Sequence, residues 1–122
     1  AAAAFGQALR LFPGHARSQI GLAHCLAAAG RKAEAQDALE QARASILELG
    51  RGGRLIEAAQ LSAMASVAQG RPTDAIGLLT RLMTEAPPGF PGWTIPIEPM
   101  FKPLHAQPEF AGILARLAER AR

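Results

Sequence analysis

Small and bulky residues return in step along this chain. Ala35, Leu39 and Ala42 have counterparts 34 residues earlier in Ala1, Phe5 and Ala8, and 40 residues later in Ala75, Leu79 and Leu82. Within each set the spacing is that of one helical face. A helical pattern that recurs at this interval predicts a stack of helical hairpins, each burying on its neighbours the face it cannot bury alone. The most complete unit runs from Ala16 to Leu49. It has two amphipathic segments broken at Gly30 and is built around Leu22, Ala23, Leu26, Ala35, Leu39 and Ala42. Stacks of this kind usually bind other polypeptides.

The residues around that unit predict its neighbours. Ala1–Leu11 reads as the end of a helix, stopped at Pro13-Gly14 because proline cannot continue a helix and glycine permits the reversal. Ala16–Ala29 follows, with Ile20, Ala23, Leu26 and Ala27 along one side. Its partner, Lys32–Leu49, carries an apolar stripe of Ala35, Ala38, Leu39, Ala42, Ile46 and Leu49, opposed by Glu34, Asp37, Glu40 and Arg43. Gly50-Arg51-Gly52-Gly53 is too rich in glycine for a helix and predicts a loop insertion over 50–55. Such an insertion accounts for the longer second interval, since lengthening a surface loop costs little while lengthening a helix would rotate its stripe. A softer helix over Leu55–Gln69 contains Ala58, Ala59, Ser62, Ala63 and Ser66. Gly70 ends it, and Pro72 opens another running to about Glu85, with Ala75, Ile76, Leu78, Leu79, Leu82 and Met83 on its apolar side.

From Ala86 to Pro99 the prolines and glycines forbid regular helix, yet Phe90, Trp93, Ile95 and Ile97 are too apolar for a free linker. An extended, packed connection is expected. Met100–Ala106 predicts one or two helical turns limited by Pro103. Pro108 opens a last helix with Phe110, Ile113, Leu114, Leu117 and Ala121 on one side. A stack of hairpins leaves its final apolar face open and needs a cover. Phe101, Leu104, Phe110, Ile113, Leu114 and Leu117 suit that purpose, with Trp93 beneath them.

These residues resemble the tetratricopeptide repeat family. Leu22-Ala23 is similar to its Leu-small pair, Leu26 to the next large position, and Ala35, Leu39 and Ala42 to the marks of its second helix. Ala1, Phe5, Ala8 and Pro13 match the second half of a preceding unit, and Ala75, Leu79, Leu82 and Pro87 that of a following one. The resemblance implies an all-α, right-handed superhelix of two and a half hairpins with a C-terminal capping helix. Residues 1–15 would be the second half of a repeat, 16–49 a full repeat, 56–89 a degenerate repeat, and 90–122 the proline-rich connection and cap. Gln19 stands where the family favours Trp and Leu47 where it favours Pro, while Ser62 and Ser66 weaken the third unit. The tail, Pro99-Met100-Phe101-x-Pro103-Leu104 followed by Pro108-x-Phe110, resembles the ends of bacterial repeat regions fused to adenylate cyclases, protein kinases or winged-helix regulators. That likeness implies a larger bacterial signalling or transcription-regulatory parent, with its effector before Ala1. The lack of an initiator methionine and the start inside a helical pattern suggest a fragment of such a chain.

Composition narrows the chemistry. The chain has 122 residues, 49% of them hydrophobic, with few aromatics, which suits one domain of closely approaching helices. The net charge of +3 comes from thirteen cations, of which only Lys32 and Lys102 are lysine. They are scattered between acids rather than clustered as specific nucleic-acid recognition requires. No run of about 20 apolar residues is present to span a membrane. A single cysteine, Cys25, fits a reducing, cytoplasmic setting. His24-Cys25 invites a nucleophile argument, but neighbours on a helix point about 100° apart. His15, His24 and His105 lack metal-ligand spacing, and the glycine run at 50–53 lacks the Lys-Ser/Thr of a phosphate loop. No catalytic residue, cofactor or metal is expected.

The expected role is therefore a non-enzymatic protein-interaction module. In the family the first helix of each unit lines a concave groove. This resemblance implies a partner-binding set of Arg17, Ile20, His24, Ala27 and the adjacent Ala28, continued by Glu57, Gln60 and Met64. The basic clamp by which some members hold a terminal carboxylate is not reproduced, since only Arg17 has suitable chemistry. The bland reading of each residue is an ordinary solvated face. Two alternatives stand beside the groove: a regulatory segment that orients a neighbouring domain, and a homo-oligomer formed through Ala1, Phe5 and Leu9 at an open N-terminal end.

Overall fold

Three consecutive turns are made the same way, and they set the layout of the molecule. In each, a glycine with positive φ (Gly30, Gly53 and Gly70, near +80°) is followed by an arginine. The arginine amides of Arg31, Arg54 and Arg71 donate to the carbonyls of Leu26, Leu49 and Ser66, and the glycine amides to Ala27, Gly50 and Val67. This paired bonding ends a helix by satisfying its last carbonyls, and it needs the left-handed conformation that glycine adopts without penalty. The next helix begins at once. The turns share a sequence, Gly-Arg-x-x-Glu/Asp-Ala, seen as Gly30–Ala35, Gly53–Ala58 and Gly70–Ala75. In the first two, the arginine also pairs with the acid three residues on: Arg31 with Glu34 at 2.8 Å, and Arg54 with Glu57.

The computed structural model describes residues 2–12, 14–85 and 95–120. Among them are six α-helices: α1 (Ala2–Leu11), α2 (Ala16–Ala28), α3 (Lys32–Arg51), α4 (Leu55–Ala68), α5 (Pro72–Glu85) and α6 (Pro108–Arg120). Two 3-10 stretches, Ile95–Ile97 and Pro99–Ala106, lie between α5 and α6. No strand occurs among the described residues. α2 packs with α3 and α4 with α5, and α3 and α2 both rest on α4, so the fold is all-α and of the repeat type expected.

One expectation needs correction. The glycine run does not form a loop over 50–55, because α3 continues through Gly50 and Arg51 and the break is confined to Gly52–Arg54. The six extra residues lengthen a helix rather than a loop. They do so beyond the buried stripe of Ala35, Ala38, Leu39, Ala42 and Ile46, so nothing upstream is rotated. Leu47 is the permissive residue: a proline there would have ended α3, whereas leucine lets it run on with its side chain 56% exposed.

The core is assembled from small and large partners. Ala42, Ala63, Ala65 and Ala75 have essentially no exposed surface, which lets helix backbones approach closely around Ile20, Leu39 and Leu79. Leu22, expected in that core, is only half-buried. Gln19 is buried, and its side-chain carbonyl accepts a hydrogen bond from Ser45 Oγ at 2.9 Å, joining α2 to α3 through a polar link where the family favours an aromatic. Phe5 of α1 packs its ring directly against Gly21, where an added Cβ would overlap it. Phe5 therefore packs onto α2 and is half-buried, and Leu11 and Phe12, where α1 ends, are exposed.

The tail covers the last hairpin. Phe101, Leu104, Phe110, Ile113 and Leu117 are buried, as the apolar pattern predicts. Leu114 is not; it sits on the shoulder of the 110–113–117 stripe and is exposed. Arg116 Nη1 donates to Thr84 Oγ1 at 2.6 Å, tying α6 to α5. Ile95–Ile97 forms a 3-10 turn instead of extended chain. Trp93, Phe90, Pro13, Ala1, Ala121 and the rest of the expected connection over 86–94 lie outside the described residues.

Candidate functional site

α2 and α4, the first helices of the two hairpins, lie side by side. Their shared face carries the residues of interest because successive turns of α2 (Arg17, Gly21, His24) and of α4 (Met64, Val67, Ala68) fall on one side of each helix. The tail stretch Pro99–Ala106 packs against α4 on this face. Glu98 caps that stretch by accepting from the Met100 amide at 3.2 Å, and its other oxygen accepts from Arg17 Nη1 at 2.6 Å. The first turn of α2 is thus fastened to a residue 81 positions away.

Between these elements lies a cavity of about 450 Å³. α1 contributes Phe5, α2 contributes His24 and Cys25, α4 contributes Met64, Val67 and Ala68, and the tail contributes Met100, Lys102 and Pro103. The walls are mainly apolar and sulfur-rich, and the exposed His24 and Lys102 stand at the rim. Such a lining suits insertion of an apolar side chain, with polar groups at the edge to fix its orientation. No group of three His, Cys, Asp or Glu side chains suited to a metal occurs among the described residues.

The expected set divides unevenly over this geometry. His24 and Met64 meet in the cavity, although Met64 is only 8% exposed and presents little more than a wall. Ala27 and Ala28 are exposed on the following turn of α2. Ile20 is a correction: with no exposed surface it belongs to the core and offers nothing to a partner. Arg17 is engaged by Glu98. Glu57 and Gln60 line a different hollow, between α4 and α5. Glu57 precedes Met64 by seven residues, about 10 Å along a helix, which explains the separation. The residues that sequence reasoning misses are Cys25, which reads as a packed thiol, and the tail's Met100, Lys102 and Pro103, which read as a cap for the stack's end.

A tetratricopeptide repeat model of known families matches residues 1–46, covering α1, α2 and most of α3. The match is to a tetratricopeptide repeat over that segment and does not extend to the rest of the chain. The match ends one residue before Leu47, where α3 departs from the family pattern by continuing. Tetratricopeptide repeats generally mediate protein–protein interaction and are not catalytic. No curated protein and no solved structure matches the chain. Among the described residues, no helix is long and apolar enough to cross a membrane.

Proposed function

We propose that this domain is a non-enzymatic interaction module that holds a segment of a partner polypeptide in a groove along α2 and α4. In this reading α1 is the second half of one repeat, α2 and α3 form a full repeat, and α4 and α5 form a degenerate one. The observation that carries the proposal is the cavity framed by His24, Cys25, Met64 and Met100, which opens beside the exposed Ala27 and Ala28. An apolar side chain of the partner fills the cavity while its backbone follows α2. The surface is preformed, so binding requires little rearrangement.

A second reading is favoured by the bond between Arg17 and Glu98. The tail rests on the same face the partner would use, so the module also acts as a regulatory segment in which tail and partner compete. Selection from a random peptide library displayed on phage tests both. Peptides enriched on the native domain should lose binding to His24→Glu and Ala27→Glu, with unchanged helicity by circular dichroism. Glu98→Gln, which loosens the tail, should strengthen capture if the two compete. Undiminished binding to both groove variants would reject the groove.

A further inference from the structure

A second depression runs along the flank of α5 and shares no lining residue with the His24 cavity. It consists of two hollows, of about 610 and 1010 Å³, that meet at Leu78 and Arg81. α3 packs along α4, and among the described residues this side of α5 is left uncovered, with Leu78 half-buried and Arg81 exposed.

The two ends differ in chemistry. The first hollow is lined by Arg43, Arg71 and Arg81 around a single acid, Asp74. Arg43 is held in place by donating to Gln69 Oε1 at 2.6 Å. Arg71 departs from its counterparts: Arg31 and Arg54 each pair with the acid three residues on, but no pair joins Arg71 to Asp74 among the described residues. Three guanidinium groups thus line one hollow with one carboxylate to offset them. The second hollow is more apolar, with Leu55, Ile56, Ala59 and Leu82; the charges of Arg54 and Glu57 on its wall are paired with each other, and it ends at Glu85. Leu55 is 68% exposed.

We infer that this cleft docks an amphipathic helical segment of a partner polypeptide, apolar along one face and acidic at its C-terminal end. From Thr73 to Glu85 the cleft follows about 18 Å of helix, the length of about twelve residues of ligand. Acidic side chains at the ligand's C-terminus, and the partial negative charge of the helix end itself, fall among Arg43, Arg71 and Arg81. Its N-terminus, partially positive, lies towards Glu85, and its leucines cover Leu55, Leu78 and Leu82. This is a second interface, apart from the His24 cavity, and Glu57 and Gln60 line it rather than that cavity. It lets one domain bridge two partners.

The test uses a fluorescein-labelled twelve-residue peptide, about the length derived above, with leucines at helical spacing and three glutamates in its last turn. It is read by fluorescence anisotropy against the whole chain. The peptide should bind, more weakly as salt rises. Arg81→Glu should weaken binding by at least about tenfold, and a peptide with lysines in place of the glutamates should recover affinity for that variant. Leu55→Ser should also weaken it, while His24→Glu should leave it unchanged, which separates this surface from the groove. Absence of binding at millimolar protein, or equal binding of the lysine peptide to the native chain, overturns the proposal. So does competition by a duplex oligonucleotide as effective as that by unlabelled peptide, which would reassign the arginines to phosphate. A shift in emission of Trp93, the only tryptophan, on Leu55→Ser would mean that the chain's own 86–94 segment fills the cleft, and equally overturns it.

Discussion

Glycines in this chain fall into groups that a substitution separates. Gly70 has a φ of +79° at the end of α4, where its amide and that of Arg71 close the helix. An alanine there must enter the left-handed region, at a cost of about 1 to 2 kcal/mol. Gly112 lies within α6, and a Cβ added there would meet no atom within 4 Å. Alanine at that site removes backbone freedom from the unfolded chain and stabilises by about 0.5 to 1 kcal/mol. Urea titrations of Gly70→Ala and Gly112→Ala should therefore move the midpoint in opposite directions. A shift of the same sign in both would contradict the turn geometry. Gly21 belongs to a third group, needed for the close approach of Phe5 rather than for its own dihedral. Its Cβ would force the ring aside, so Gly21→Ala should loosen α1 and speed amide exchange there, and the added substitution Phe5→Ala should remove that penalty.

At the scale of an element, α3 shows where sequence reading succeeds and where it stops. The stripe of Ala35, Leu39, Ala42 and Ile46 is legible because apolar side chains at helical spacing have one economical way to be buried. The end of the helix is not, because Gly50 and Gly52 suggest a break that the chain makes only at Gly52–Arg54. Glycine in a helix costs about 1 kcal/mol against alanine, which a neighbouring turn of good helix formers overcomes. The better signal is Leu47 in the place of a proline, together with the Gly-Arg-x-x-Glu/Asp-Ala pattern that marks each real turn. Leu47→Pro provides the check. In a helix running to Arg51 it removes a hydrogen bond and clashes with the preceding turn, at a cost of about 3 kcal/mol or more. In a turn at the family's usual position it would be tolerated. Thermal unfolding followed by circular dichroism distinguishes the two, and an unchanged midpoint would return residues 50–55 to a loop.

Across the whole molecule, the tail has two contacts that the sequence pattern does not separate. Its apolar residues are legible as a cover, but the surface they cover is not, since spacing reports which side of an element is buried and not against what. The structure brings Phe101 and Leu104 down beside α4, on the face that the resemblance reserves for a partner, and joins Glu98 to Arg17. That is why His24 and Met64 line one cavity while Arg17 is engaged by Glu98 and Glu57 and Gln60 stand elsewhere. If the tail is integral to the stack, its loss must propagate into α4 and α5, because neighbours in such an array stabilise each other through their interfaces. Phe101 has about 1% of its surface exposed, so Phe101→Ala should cost about 3 to 5 kcal/mol, a large share of the roughly 5 to 15 kcal/mol that holds a domain together. Hydrogen exchange should then show protection falling in α4 and α5 along with the tail, within a single unfolding transition. Exchange that quickens in residues 95–120 alone, with α4 and α5 as protected as before, would mean that the hairpins stand without their cover and that the groove face is open by default.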